Sequence, residues 1–258
     1  MTLARTALRL CTTAALKGAA DARPTIAQNR VYDSRMDDLN PENYVADAKA
    51  AVIVFTDADE GDALSRQNGG SPFRRMIDLV IEIGMVQALA QEGDGGPAYI
   101  VGYPDTDKRL EASLDYLEFQ IVRRLSYDPA PLSVLFRSFA RIVKYACHRQ
   151  VLNDAGVKVA ARILTLTCDT KDDQVVVYNQ AQTASLPTGL EVLPEPLLRV
   201  AKAMPDGSSE ADVCMALAAA LAPLSTPPLG GFDPTYAAGN PVDPGAPTVE
   251  ATIDLPQS

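Results

Sequence analysis

The densest group of side chains with chemical potential is an acidic run, Asp57, Asp59, Glu60 and Asp62, directly after an apolar segment. Clustered carboxylates bind Ca²⁺, but an EF-hand loop needs Gly at its sixth position and Glu at its twelfth. Counted from Asp57, those positions hold Asp62 and Asn68, so the calcium pattern fails. The run is interpreted as a solvated loop or a charged contact surface, and neither a metal nor a cofactor is expected.

His148 is the sole histidine, and Cys147 precedes it. On the helix predicted for this region adjacent side chains point about 100° apart, so the two cannot act together as nucleophile and base. Cys11, Cys168 and Cys214 could reach His148 only through the fold, and no Gly-x-Ser-x-Gly elbow is present. No catalytic residue is predicted. The distant alternative is a small hydrolase that uses His148 with a remote Cys or Ser.

Basic residues form a second charged feature. Arg137, Arg141 and Lys144 recur at helical spacing and predict a basic stripe on the outer face of a helix. The stripe is either a solvated face or the intersubunit partner of the acidic run. The complete set of candidate interface residues is Asp57, Asp59, Glu60, Asp62, Arg66, Arg74, Arg137, Arg141, Lys144, Val249 and Ile253.

Strands are predicted on both sides of the acidic run. Residues 51–55 form an unbroken apolar, β-branched segment, which is typical of a buried strand. From residue 73 to 85 apolar residues alternate with Arg74, Asp78 and Glu82, and this period of two predicts a half-buried strand. The two strands predict a hairpin whose acidic loop projects from the sheet.

Two helices are predicted in the middle of the chain. The first begins near Asp107, where Asp105, Thr106 and Asp107 offer N-cap chemistry, and it carries apolar residues at spacings of four and three. Its carboxylates Glu111, Asp115 and Glu118 share one face, which is typical of a solvated surface. The second is predicted over residues 131–152, with proline at its favoured first position and a closing turn at residues 153–156.

Shorter elements complete the prediction. A helix over residues 3–16 ends near Gly18, and Ser209 begins a capping box for a late helix. Further strands are expected at 30–35, 158–168 and 174–178, a short strand or covering segment at 98–103, and helical segments at 195–204 and 209–222. Together these elements predict an α/β (mixed α+β) fold, with a central mixed or antiparallel sheet and helices packed on it.

Length and composition predict how the chain is divided into domains. Its 258 residues predict an α/β domain over 1–180, a helical addition over 181–224 and a Pro/Gly-rich arm over 225–258. The arm has no Lys or Arg, yet residues 248–255 alternate, with Val249 and Ile253 on one side. Three states are compatible with this pattern: a strand added to a sheet edge of another subunit, a disordered tail, or a strand in its own sheet.

Charge and hydropathy exclude further classes. A formal net charge of -10 argues against a sequence-independent grip on nucleic acid, which needs cations that neutralise phosphates. No run of about 18 apolar residues is present, so no membrane span is expected. Arg5, Arg9 and Lys17 interrupt the N-terminal segment, which therefore does not match a signal peptide.

The order of segments resembles a known family. The chain begins with a short N-terminal helix and the strand at 30–35. It continues with residues 51–56 and the acidic run, then the segment 73–82, and then a helix that carries residues 114–118. This order is similar to that of the tail terminator proteins (gpU type) of long-tailed bacteriophages and gene transfer agents. The resemblance covers about residues 1–168, and the longer C-terminal part departs from the family.

The resemblance implies a structural virion protein at the junction of tail and neck. Subunits would form a homohexameric ring that caps the tail tube, ends its polymerisation and presents a docking surface to the neck or connector protein. DNA would pass through the ring without specific binding. An alternative from the same particle is a head-tail connector or neck adaptor, which would share the acidity and the size.

Overall fold

The computed structural model of the chain describes residues 3–19, 23–34, 47–64, 72–93, 96–104, 106–152, 157–174 and 188–221. Its helices are α1 (Ala4–Lys17), α2 (Lys108–Ser126), α3 (Pro131–Phe139), α4 (Leu197–Ala203) and α5 (Ser209–Leu221), with a 3₁₀ turn at Gly189–Val192. Its strands are β1 (Val31–Asp33), β2 (Lys49–Ala63), β3 (Phe73–Gly93), β4 (Gly96–Gly102), β5 (Ala140–Leu152) and β6 (Val157–Lys171). Arg66, Val249, Ile253, the turn at 153–156 and the arm at 225–258 lie outside the described residues, as does most of the strand predicted at 174–178.

A mixed sheet organises the described part of the chain. Its strand order is β1-β2-β3-β6-β5, and β4 pairs with the far half of β3. Only the β1–β2 pairing is parallel among these strands; the others are antiparallel. The helices pack against this sheet, which confirms the predicted α/β class.

The core lies on one face of the sheet, here called the helix face. Alternate residues of β3, from Ile77 through Leu79, Ile81 and Ile83, are fully buried there. All five helices of the described part contribute side chains to the same core. Because alternate strand residues point to opposite faces, the period of two in the sequence identified this core correctly.

The opposite face, called here the open face, carries the intervening residues of β3. On it the Tyr103 hydroxyl donates a hydrogen bond to Glu82 Oε1 at 2.6 Å. The Tyr103 ring lies over Gly84, where a Cβ would stand 2.2 Å from Tyr103 Cε1. Glycine at position 84 therefore lets the ring approach the sheet closely enough to reach Glu82.

The predicted C-terminal end of α1 and the predicted N-terminal end of α2 are confirmed. Gly18 ends α1 with a left-handed φ of 79°, and its N–H bonds back to the last turn. At α2 the Asp107 carboxylate accepts hydrogen bonds from the Arg109 and Leu110 N–H groups at 2.8 Å each. The capping residue of α5 is Ser208, not Ser209, since Ser208 Oγ accepts from the Ala211 N–H at 3.1 Å.

The prediction of one helix over 131–152 was wrong. The helix α3 ends at Phe139, and the chain continues as strand β5, which pairs antiparallel with β6 from Ala140 onward. The β-branched residues Ile142 and Val143 fall just after the switch, and they favour the pleated conformation. Pairing with β6 supplies backbone partners that a single sequence does not reveal.

The prediction of an acidic loop was also wrong. Strand β2 runs on through Asp57, Asp59, Glu60 and Asp62 to Ala63, paired with the start of β3. Polar and acidic residues are depleted in strands, so composition alone favoured a loop. The cross-strand partners, residues 73–77, overrule that preference.

Candidate interaction surfaces

A β-bulge decides which way the acidic residues of β2 point. Thr56 is opposite Leu79 and Asp59 is opposite Ile77, so β2 contains one residue more than β3 across this interval. One extra residue reverses the faces of everything that follows it. Asp59 consequently points to the helix face, while Glu60 and Asp62 point to the open face.

Arg5 of α1 binds the bulge directly. Its guanidinium donates to the carbonyl oxygens of Thr56 at 2.8 Å and Asp57 at 2.9 Å, and to Thr56 Oγ1 at 3.2 Å. A bulge leaves carbonyl groups without ladder partners, and a charged donor satisfies them well. The packing of α1 on the sheet thus also fixes the direction of the acidic residues.

Asp59 is part of an internal ion pair, so its carboxylate is turned away from the exposed surface that the acidic run was predicted to form. Its carboxylate accepts from Arg75 Nε at 3.1 Å and Nη2 at 2.6 Å, and its side chain is 9% exposed. Asp172 lies 3.5 Å from Arg75 Nη1 on the same side. Burial opposes the charge on Arg75, but these carboxylates outweigh it, so the pKa of Arg75 is raised.

The remaining acidic residues form a surface on the outer strand, called here the acidic edge: Asp57, Glu60 and Asp62. All three are exposed. The parallel partner β1 pairs with β2 only over residues 52–54. Within the described residues no strand lies beside β2 along the acidic edge, so its outer backbone groups face away from the sheet.

The basic residues Arg141 and Lys144 lie on the open face of β5, the strand at the other side of the sheet; we call them the basic edge. A bulge at Val143 separates their partners, because Ile142 is opposite Cys168 and Lys144 is opposite Thr167. The bulge keeps two residues that are three apart on the same face. The helical interpretation predicted the same grouping from a different geometry.

The two edges share one register row. Glu60 is opposite Met76, Met76 opposite Asp169, and Asp169 opposite Arg141. Four strands at about 4.8 Å spacing place the outer two about 14 Å apart. Charges of opposite sign therefore lie at opposite sides of the same end of the sheet.

Asp169 lies between these edges and organises the basic side chains around it. Its Oδ2 accepts from Arg74 Nη2 at 3.1 Å and from Arg141 Nη2 at 3.3 Å. Both arginines remain largely exposed, Arg141 at 73%. One carboxylate shared by two exposed guanidinium groups leaves a net positive surface here.

Arg137 has a structural position. It donates to the Asp128 carbonyl at 2.7 Å and the Leu125 carbonyl at 3.3 Å, and so ties α3 to the end of α2. With Arg74 and Arg141 it lines a groove of about 590 Å³ beside the first residues of β5. Three of the predicted interface residues therefore line one groove, and two of them, Arg74 and Arg141, have largely exposed side chains.

Three carboxylates of α2, predicted to be a solvated face, instead bind arginines of the sheet. Arg162 of β6 contacts Glu111 at 2.7 Å, Asp115 at 2.7 Å and Glu118 at 3.0 Å. Arg149 of β5 meets Glu111 with both Nη atoms, at 2.5 and 2.7 Å. We call this group the α2 clamp.

The α2 clamp shifts the pKa of its members. Burial favours the neutral form of Glu111, but hydrogen bonds from Thr106, Arg162 and Arg149 outweigh it, and its pKa is lowered. Burial and the charge of Glu118 raise the pKa of Cys147. Sequence reasoning missed the clamp because its basic partners come from β5 and β6, far along the chain.

The cysteines and the histidine are distributed over both faces. His148 is opposite Ile163 on the open face, whereas Cys147 is opposite Leu164 and reaches Glu118 on the helix face. Cys11, Cys168 and Cys214 are buried in the core. The strand geometry thus separates His148 from the thiols more completely than the predicted helix did.

Within the described ranges, no three His, Cys, Asp or Glu side chains converge in an arrangement suited to a metal ion. None of the helices in that part of the chain combines the length and apolar character needed to cross a bilayer. No protein-family model matches the sequence, and no curated protein matches it.

Proposed function

We propose that this chain is a subunit of a phage-type tail terminator, which assembles into a closed ring on the end of a tail tube. The observation that carries the proposal is the register row that joins the acidic edge to the basic edge across one sheet. A subunit with complementary sides can bind a copy of itself side by side.

A ring needs a heterologous contact, in which two different patches of the same molecule meet. The acidic edge and the basic edge are such a pair: they lie on opposite sides of the sheet, carry opposite charge and consist largely of exposed side chains. A contact between them leaves both patches occupied in every subunit of a closed ring, but one of each free in an open chain.

Backbone groups add to the attraction between charges. Strand β5 is last in the strand order, and in the described residues β2 has no outer partner along the acidic edge. Exposed strand edges pair readily with other strands, because their N–H and C=O groups lack partners. Edge-to-edge pairing would extend one sheet into the next and set the angle between subunits.

The net charge of -10 is consistent with DNA passing through the ring. A wall without excess positive charge does not hold the phosphates that move past it. Tail tube protein on one side of the ring and neck or connector protein on the other would be its partners in the particle.

Capping of tubes tests the proposed function. Purified chain is added while tail tube protein polymerises, and tube length and tube ends are followed by electron microscopy. The proposed function predicts ring-shaped particles in the chain alone, shorter tubes as its concentration rises, and one ring on one end of each tube. Unchanged tube length with bare ends would contradict it, and rings bound only to purified connector would support the neck adaptor instead.

A reversal of charge at the basic edge provides the matched variant. Arg141→Glu with Lys144→Glu is expected to abolish rings and capping together, since capping depends on the closed ring. The control is Lys108→Glu with Arg109→Glu, an equal change of net charge at exposed positions at the start of α2. Capping by the basic-edge variant without ring formation would disprove the assigned contact.

A further inference from the structure

A polar pocket of about 360 Å³ lies between the end of α2 and the segment that follows α1. It is lined by Arg23, Pro24, Thr25, Tyr116, Gln120, Arg123, Arg124 and Asp128. We call it the arginine pocket. Three guanidinium groups and one carboxylate leave it with a net charge of about +2, in a chain whose net charge is -10.

Arg124 is the central group of the arginine pocket. Its residue is 7% exposed, and its ion pair with Asp128, between Nη1 and Oδ2, is 3.3 Å long. Asp128 also accepts the Ala130 N–H at 2.8 Å through its other carboxylate oxygen. A guanidinium carries five N–H donors, and among the described residues its ion-pair partner is Asp128, so donors of Arg124 are available to a further acceptor. The pocket is the place where an additional acceptor can reach this side chain.

The walls of the pocket are held in place before any ligand arrives. Thr25 donates through its N–H and its hydroxyl to the Leu16 carbonyl at 3.3 Å each. Gln120 Oε1 accepts the Ile26 N–H at 2.9 Å, which ties the segment after α1 to α2. A site built on fixed elements loses little conformational entropy when it binds.

The spacing along α2 directs the remaining groups into the same pocket. Tyr116, Gln120, Arg123 and Arg124 lie at positions i, i+4, i+7 and i+8, which share one face of a helix. Arg123 is exposed, and Tyr116 is 52% exposed. Exposed guanidinium groups and an exposed aromatic ring therefore surround the buried Arg124.

We propose that the arginine pocket binds a phosphate group. Guanidinium groups match the oxygen geometry of carboxylates and phosphates alike. A phosphate monoester carries a charge of about -1.5 to -2 at neutral pH, whereas one carboxylate carries -1. The charge of the pocket therefore favours phosphate, and Tyr116 offers a ring against which an aromatic phosphate ester packs.

Binding is measured by calorimetry on the full chain, with phenyl phosphate and inorganic phosphate as probes and succinate as the carboxylate comparison. The expected result is saturable binding of one phosphate probe per chain that weakens as salt is raised. Arg123→Gln and Arg23→Gln, both at exposed positions, are each expected to weaken binding about fivefold to tenfold. Arg109→Gln, on the same helix but outside the pocket, is expected to leave affinity unchanged.

Arg124→Gln is expected to abolish binding, and circular dichroism shows whether that variant is folded. If it does not fold, the two exposed variants decide the outcome alone. Absence of saturable phosphate binding would overturn the proposal. Equal loss in Arg109→Gln, or succinate binding more tightly than phosphate, would overturn it too. The site does not depend on ring formation, so its failure leaves the tail terminator proposal standing, and the reverse holds as well.

Discussion

At the scale of single residues, Arg5 and Arg75 divide the acidic run into an inner and an outer part. Arg5 holds the bulge in β2, and Arg75 pairs with the residue that the bulge turns inward, Asp59. Glu60, one position further, is exposed. The neighbouring carboxylates therefore differ in role: Asp59 stabilises the fold through its ion pair with Arg75, and Glu60 lies at the surface.

Asp59→Asn should therefore destabilise the fold, and Glu60→Gln should not. Without the Asp59 carboxylate, Arg75 keeps Asp172 at 3.5 Å as its ion-pair partner in the described residues. We expect a loss of about 1–3 kcal/mol for Asp59→Asn and less than about 0.5 kcal/mol for Glu60→Gln. Urea unfolding at neutral pH measures both. Equal losses in the two variants would contradict the bulge geometry.

The buried thiols are expected to make the free energy of unfolding fall at alkaline pH. Burial raises the pKa of Cys11 to about 12, from 9.0 in the unfolded chain. The folded state therefore favours the neutral thiol: this stabilisation is complete below pH 9 and is lost as pH rises towards 12. In Cys11→Ala the decline of unfolding free energy between about pH 9 and 11 should be shallower than in the wild type. Parallel declines would refute the assignment, whatever constant offset the cavity adds.

The candidate surface could be read from the sequence only in part, for reasons visible in these residues. Asp57, Glu60 and Asp62 were identified by type, because clustered exposed carboxylates are apparent without coordinates. The inward turn of Asp59 was not, since one inserted residue changes every later face and leaves no signature in composition. Its partner Arg75 lies on the next strand, and pairing in space is not visible along one chain.

At the scale of elements, the α2 clamp connects helix α2 to β5, the last strand in the order of the sheet. Arg149 comes from the edge strand β5 and Arg162 from β6, and both bind carboxylates of α2. The Tyr145 hydroxyl of β5 also donates to Glu118. Ion pairs hold β5 against α2 from one side while β6 pairs with its backbone, so β5 is held in place although no other described strand lies beside its outer edge.

Arg162→Gln should loosen this arrangement. The substitution leaves Glu111, Asp115 and Glu118 close together with Arg149 as the remaining cation of the clamp. We expect a loss of about 2–4 kcal/mol, because three neighbouring carboxylates, of which Glu111 and Glu118 are partly buried, then repel one another with a single cation beside them. Arg109→Gln, at an exposed position of the same helix, should cost less than about 0.5 kcal/mol. Hydrogen exchange of the β5 amides should rise in the first variant and stay unchanged in the second.

Elements with strong periodicity were predictable, and of the two elements predicted wrongly the segment 140–152 failed for a physical reason. The alternation in β3 and the spacing in α2 each report one dominant face. The segment 140–152 has apolar residues that satisfy a helical spacing as well as a strand. The bulge at Val143 blurs the period of two further, so the choice rests on pairing with β6, a contact distant in sequence.

At the scale of the whole molecule, opposite charges are separated across a sheet while the total charge remains strongly negative. The acidic edge and the basic edge lie about 14 Å apart, three strand spacings of about 4.8 Å each. Like-charged subunits repel at long range, and local complementarity must exceed that repulsion for copies to associate. Assembly through these edges is therefore expected to respond to the sign of each edge more than to net charge.

Mixing two charge-reversed variants tests whether the acidic edge of one copy binds the basic edge of the next. One variant carries Arg141→Glu and Lys144→Glu, so both of its edges are acidic; the other carries Asp57→Lys, Glu60→Lys and Asp62→Lys, so both are basic. Each alone is expected to remain monomeric, because its edges repel those of its copies, whereas an equimolar mixture should form rings with alternating subunits. Mass photometry at about 0.05 M salt measures the species, and about 1 M salt should dissociate the mixed rings by screening. Rings in either variant alone, or a mixture that stays monomeric, would show that the edges do not meet.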